Sequence, residues 1–188
     1  MATLGNGAPE VIGMTEVLLA VGTRKGLFLG RRLGRRPWEF DESPYFNAQA
    51  VYSVAIDTRG PRPRLLAGGD SAHWGPSVFH SDDLGRTWTE PPRPAVRFPK
   101  DTGASLERVW QLHPAAAEPD VVYAGTEPAA LYRSVDRGES FELVRPLWEH
   151  PSRSRWVPGG GGEGLHTVLT DARDKAALTV AVSTAGVF

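Results

Sequence analysis

The chain has 188 residues, with 21 Lys+Arg against 22 Asp+Glu, a formal net charge of −1, no cysteine, 21 Gly and 16 Pro. This length supports one core of ordinary size, and the balanced charge lacks the basic excess of a nucleic-acid binder. The absence of cysteine excludes disulfides, thiolate zinc sites and a cysteine nucleophile.

Residues 1–13 carry no hydrophobic periodicity and are expected to form a disordered tail. The longest apolar run near the N-terminus, Val17 to Val21, has five residues, against the ~20 of a membrane helix. The expected location is therefore the cytoplasm, with no membrane partner. From here a phrase recurs: Leu18-Leu19-Ala20-Val21-Gly22-Thr23, Leu65-Leu66-Ala67-Gly68-Gly69-Asp70, Val121-Val122-Tyr123-Ala124-Gly125-Thr126 and Leu178-Thr179-Val180-Ala181-Val182-Ser183-Thr184. Counted from Gly22 to Gly69, Gly125 and Ser183, the spacings are 47, 56 and 58. A second phrase precedes three of these: Val51-Tyr52-Ser53-Val54-Ala55-Ile56, Val109-Trp110-Gln111-Leu112-His113-Pro114 and Leu165-His166-Thr167-Val168-Leu169-Thr170. A third follows them, as Leu27-Phe28-Leu29-Gly30, Val78-Phe79-His80-Ser81 and Leu131-Tyr132-Arg133-Ser134.

These alternating runs end in Gly, Asp or Pro and predict short antiparallel strands with tight turns. With Thr87-Trp88-Thr89 and Ser140-Phe141-Glu142 they make four strands per repeat, A to D, the content of a propeller blade. Apolar residues at helical spacing never persist, so the fold class is all-β. Residues 16–40 supply a partial blade, 49–91 and 107–145 two whole ones, and 164–188 another partial one. The expectation over 14–188 is an incomplete propeller with about three blades' worth of strands, whose open edges pair with missing blades or with another copy. The cluster Arg24, Lys25, Arg31, Arg32, Arg35 and Arg36 falls in the first blade and fits a solvated hairpin.

Between strands C and D stand Ser81-Asp82-Asp83-Leu84-Gly85-Arg86-Thr87-Trp88 and Ser134-Val135-Asp136-Arg137-Gly138-Glu139-Ser140-Phe141. In both, an Asp (Asp83, Asp136) can accept N–H bonds within its own turn, a Gly (Gly85, Gly138) permits positive φ, and the aromatic (Trp88, Phe141) packs over the hairpin, with Ser81 and Ser134 opening the motif. Such bonding would lower the Asp pKa and occupy its oxygens, which argues for structure over catalysis. The first repeat, Gly30 to Trp38, has no Asp and must be held differently.

The two turns resemble the Asp-box, or BNR repeat, of sialidase-type propellers. Together with His73-Trp74-Gly75-Pro76, Glu127-Pro128-Ala129, Leu147-Trp148-Glu149-His150-Pro151 and Pro158-Gly159-Gly160-Gly161-Gly162, they make residues 14–188 similar to bacterial WD40/YVTN/BNR-like repeat proteins, often labelled sialidase-like or glycosyl hydrolase. Members of that group are about twice as long, so the resemblance implies a fragment, an N-terminal part of the ring, and it brings no established reaction.

In a propeller the B–C and D–A loops share one face, which would gather His73, Trp74, Trp110, Trp148, His150, Arg153, Trp156 and His166 as ligand-binding candidates. Trp rings stack on sugars and cations, and Arg grips carboxylates. The long D–A segment is expected to act as a ligand lid, and Gly159–Gly162 lacks the Lys and helix of a phosphate loop, so it fits a flexible segment. Glu127 and Glu149, with Glu163 behind them, are the candidate catalytic carboxylates of a glycoside hydrolase. Whether there is a reaction stays open, because the chain has no Arg-Ile-Pro sequence and no clear arginine triad. A small ligand of carbohydrate class, bound with or without hydrolysis, is one expectation. The alternative is a non-catalytic protein-interaction scaffold of the sortilin or photosystem-assembly type. No cofactor and no metal is expected: His73, His150 and His166 with Glu127 have donor atoms for a borderline ion but no ligand spacing.

Overall fold

The structure, a computed structural model, describes residues 15–188; the tail expected at residues 1–13 lies outside them. Strands β1 (Glu16–Thr23), β2 (Gly26–Leu33) and β3 (Glu39–Phe40) form the first sheet. The second holds β4 (Ser53–Asp57), β5 (Arg64–Ser71) and β6 (Gly75–Ser81). The third holds β7 (Arg108–Pro114), β8 (Val122–Glu127), β9 (Leu131–Ser134) and β10 (Glu142–Leu143), and the last β11 (Leu165–Thr170), β12 (Leu178–Val182) and β13 (Gly186–Val187). All neighbours are antiparallel and in sequence order. The chain is thus all-β, an incomplete propeller of blade-like sheets. Strand D of the second sheet shrinks to one bridge, His80 to Thr89. Helix is confined to α1 (Arg145–Trp148) and two 3-10 turns, Lys100–Thr102 and Arg153–Arg155, and among the described residues no helix is long and apolar enough to cross a membrane.

The sheets stack face to face in chain order, β1 on β4, β4 and β5 on β7, and β7 and β8 on β11. Three cores result. Leu27, Leu29, Leu65 and Ala67 fill the first, Leu66, Val78, Val109, Leu112 and Tyr132 the second, and Val121, Leu131, Leu165, Val168 and Val180 the third. Leu65 and Ala67 face the first sheet while Leu66 faces the third, which is why β5 reads as a continuous apolar run: both of its faces are buried. On β1, by contrast, Leu18 and Ala20 pack inward while Val17, Leu19 and Val21 stay exposed. Leu169 and Val187 are exposed on the last sheet.

The recurring glycine marks the closest approach between sheets. A Cβ at Gly22 would lie 2.6 Å from the Val51 carbonyl oxygen, and one at Gly125 would overlap the Leu165 carbonyl oxygen. In the second repeat Gly68 holds this place, against Ser53 and Val109, while its neighbour Gly69 has room. The Ser53 hydroxyl then donates to the Val109 carbonyl at 2.8 Å, tying the second sheet to the third.

Both Ser-x-Asp turns close as their residues predict. Asp83 accepts from the Ser81 hydroxyl (2.8 Å), the Thr87 N–H (2.9 Å) and the Thr87 hydroxyl (2.6 Å), and Ser81 Oγ accepts the Gly85 N–H (2.8 Å). Asp136 accepts likewise from Ser134 (2.6 Å), the Glu139 and Ser140 N–H groups (3.0 Å each) and the Ser140 hydroxyl (2.5 Å), while Ser134 Oγ accepts the Gly138 N–H (2.8 Å). Positive φ extends one residue further than the glycine, to Leu84 and Arg137 at 60°. The first hairpin substitutes an arginine for the missing Asp. Arg31 binds Asp41 at 3.0 Å and donates to the Leu84 carbonyl of the next hairpin at 2.9 Å, and Arg32 covers Trp38.

Gly125→Ala should destabilise the protein by roughly 2–3 kcal/mol, because neither backbone can retreat, whereas Gly160→Ala, with open space around it, should leave the denaturation midpoint unchanged. The turns also predict a pH dependence. The Thr87 hydroxyl and N–H, with Ser81, hold Asp83 at about 2. Burial alone would raise Asp136, yet its Ser134 and Ser140 bonds leave it below the usual range. Both folded values lie below the unfolded ~3.9, so this stability is complete above that pH and is lost as pH falls toward the folded values. Asp136→Ala should therefore cost roughly 1–2 kcal/mol at neutral pH, and thermal unfolding should find the deficit shrinking as the pH is lowered through 4 toward 2.

Candidate functional site

Strand β8 ends at Glu127, followed by a cis bond to Pro128 and a tight reversal in which the Thr126 N–H reaches the Ala130 carbonyl at 3.1 Å. Glu127 stands opposite Arg108 of β7, and a bulge between Val109 and Gln111 leaves Trp110 out of the ladder. Bulges re-aim side chains at sheet rims, and here the Trp110 indole N–H donates to Glu127 Oε2 at 2.9 Å while Arg108 Nη1 pairs with the same oxygen at 2.5 Å. The Glu127 side chain is 9% exposed and that of Arg108 37%. The guanidinium lies 5.4 Å from the Tyr52 ring and 5.7 Å from Trp110, and the two rings are 5.1 Å apart. The bonds to Glu127 and then Tyr52 raise the Arg108 pKa, so its charge is permanent. The Gly-rich run closes over this group. Gly162, φ +90°, lies so near Glu127 Oε1 that a Cβ would overlap it, and a Cβ at Gly164 would meet the Trp110 indole at 2.7 Å. Gly159 to Gly162 is thus an ordered turn at its ends, with a 3.0 Å bond from the Gly162 N–H to the Gly159 carbonyl.

The D–A segment is pinned down, contrary to the lid expected from its composition. Arg153 sits 3.7 Å over Trp148 and 5.0 Å over Trp156, donates to the Ala129 carbonyl at 2.7 Å and faces Glu163 at 3.4 Å. Burial lowers its pKa, but an arginine remains charged. Trp148 also packs on Phe98, and Trp156, buried, packs on Phe188 and donates to Ser152 at 3.0 Å. His150 meets Ser152 at 2.7 Å and Phe188 edge-on. These residues brace the reversal after Glu127, through Ala129 and through Glu163 next to Gly162.

The remaining candidates stand elsewhere. Glu149 is exposed and pairs only with Arg145, at 3.4 Å. It shares no partner with Glu127, which belongs to the Arg108 and Trp110 group while Glu149 belongs to the Arg145 pair on α1. His166 is exposed on β11 and bonds Thr167 at 2.9 Å. His73 and Trp74 occupy the β5–β6 turn beside Glu90. With His73, His150 and His166 on separate partners, the metal grouping is not assembled, and among the described residues no three His, Asp or Glu side chains gather to hold an ion. The structure adds Tyr52 and Arg108 to the candidates. A signal for Tyr52 was available, since Tyr52, Trp110 and His166 fill the same position of the strand-A phrase; Arg108 is defined only by its cross-strand partner.

No family model matches the chain. Its sequence is similar to vacuolar protein sorting/targeting protein 10 of Arthroderma otae, 26% identical over 161 residues, covering 74% of this chain and 10% of that protein. The chain thus spans about a tenth of the length of this curated relative. Among solved structures it is similar to YCF48 bound to D1 peptide, with a TM-score of 0.42, 17% identity and coverage of 73% of this chain and 44% of that one.

The Trp148–Arg153–Trp156 stack gives a direct contrast between two arginines of one segment. Arg153→Ala should cost roughly 2 kcal/mol in chemical denaturation, through lost packing as much as lost charge. Arg145→Ala, on the exposed pair with Asp101 and Glu149, should leave the midpoint where it is.

Proposed function

We propose that this chain is part of a propeller scaffold whose loop-rich face binds an extended segment of a protein or peptide, and that it does not process glycans. What supports binding over hydrolysis is the state of Glu127. As one of a catalytic pair it would need a second carboxylate held against it; instead it is buried, Arg108 and Trp110 both fix its Oε2, and Glu149 belongs to another cluster. A locked carboxylate is a positioning group. It fixes Arg108 between Tyr52 and Trp110, and tyrosine, tryptophan and arginine are the residue types that dominate protein-binding hot spots. Arg108 keeps further N–H donors beyond the Glu127 bond, suited to the carbonyls of an extended backbone. The sequence likeness to a sorting/targeting protein points the same way.

A peptide array followed by fluorescence anisotropy tests this. Binding should be recovered and should weaken about 30-fold in Arg108→Ala and in Trp110→Ala, the size of a hot-spot loss, while aryl glycosides and sialosides are not turned over. Turnover that disappears in a Glu127→Gln, Glu149→Gln double variant would restore the glycoside hydrolase. Peptide binding indifferent to Arg108 and Trp110 would remove the proposed site.

A further inference from the structure

We propose that the β5–β6 turn is a second binding site, which takes a cationic side chain, arginine or lysine, from a peptide or protein partner between the Trp74 ring and the Glu90 carboxylate. The tryptophans of this chain follow a rule with one departure. Trp38 carries Arg32 at 4.8 Å, Trp110 carries Arg108 at 5.7 Å, and Trp148 and Trp156 share Arg153 at 3.7 and 5.0 Å. Trp88 packs against Phe46 and Tyr45. Trp74 alone is exposed, at 43%, belongs to no core cluster, and has neither an arginine over its ring nor an aromatic neighbour other than His73, 6.3 Å away. An indole face attracts a cation through its quadrupole, and here none is supplied from within.

The mount of this ring is rigid. Ser71, buried at 7%, accepts the N–H groups of His73 (2.9 Å) and Trp74 (3.0 Å) on its hydroxyl oxygen and donates its own proton to Glu90. Gly75, φ +73°, closes the turn. One buried hydroxyl thus fixes the turn that carries the indole and the carboxylate beside it. His73 Nδ1 lies 3.4 Å from Glu90, and its ring is 6.3 Å from that of Trp74. The Ser71 bond, then the His73 bond, hold the Glu90 pKa below the usual carboxylate range, so the carboxylate is charged at any physiological pH. An exposed aromatic face on the same turn as a fixed anion matches a side chain with an apolar stem and a cationic head, and a turn already held by three bonds to one hydroxyl loses little entropy on binding. The site shares no residue with the Arg108 group, so either can fail alone.

The test uses nitrogen-15 spectra of the six indole N–H groups, with the Trp74 signal assigned by its loss in Trp74→Phe. Acetyl-Gly-Arg-Gly-amide and its lysine counterpart should shift that signal saturably and leave the other five in place, and the isosteric citrulline peptide should not. Glu90→Gln should weaken the arginine peptide about three-fold with the other signals unmoved, which reports an intact fold. A Trp74 signal that stays still, that moves equally with citrulline, or whose titration is unchanged in Glu90→Gln would overturn the proposal, and it would do so whether or not peptides bind at Arg108.

Discussion

The structure depends on how closely one sheet's inner strand can approach the next. At Gly22 and Gly125 the backbone of the following sheet occupies the space a side chain would need, and at Gly68 the same gap is filled by Ser53 and Val109. A close-packed interior has no slack to absorb a misfit of that size, so this separation sets which leucines meet. The turn glycines take part as well, since Gly85 lies against Leu29 of the preceding sheet and Gly138 against Leu66. Each sheet is thus fitted to its immediate neighbours.

Arginine has two uses at the ends of the sheets. On the side of the Ser-x-Asp turns, arginines tie adjacent sheets through carbonyls. Arg31 reaches the Leu84 carbonyl, and Arg64, bidentate on Asp82 at 2.7 Å, reaches that of Arg137 at 3.3 Å. Both acceptors are the positive-φ residue ahead of the turn glycine. Arg59, anchored on Asp57, likewise spans to the Glu118 carbonyl at 2.8 Å. Other arginines lie against rings: Arg32 on Trp38, Arg108 by Tyr52 and Trp110, and Arg153, which also latches the Ala129 carbonyl, by Trp148 and Trp156. Carbonyl latches look inward; the Arg108 guanidinium, between half-exposed rings, still presents donors and apolar surface to a visitor.

Much of the fold is written in the sequence because it repeats. Strands A to C, the role of Asp83 and Asp136, and the odd first hairpin follow from local chemistry: a side chain bonding its own turn needs no distant partner to be predicted. Strand D of the second sheet is the weak point, as Thr87-Trp88-Thr89 gives its indole to the core beside Phe46 and keeps only one bridge. The candidate site is less legible. Composition gathered Trp148, Arg153 and Trp156 in one loop, yet their stacking on each other is a tertiary fact that turns an expected lid into a brace. Glu127 was visible and its function was not, because what a carboxylate does depends on Arg108 and Trp110 across the strand. Trp74 runs the other way: a residue that could have packed between sheets stands in solvent, since Ser71 holds its turn outward.

The first hairpin has a consequence for how the molecule is assembled. The side-chain bonds that shape the turns around Asp83 and Asp136 are internal to them, so each turn can form as soon as its residues exist. The first hairpin ties its own legs through Arg31 and Asp41, and the same arginine also reaches the Leu84 carbonyl, some fifty residues later in the chain. That second bond forms only once the second sheet presents the carbonyl. The latch between the first and second sheets therefore hangs on a turn that needs no help to form, and any change that unravels the Asp83 turn releases the first sheet as well.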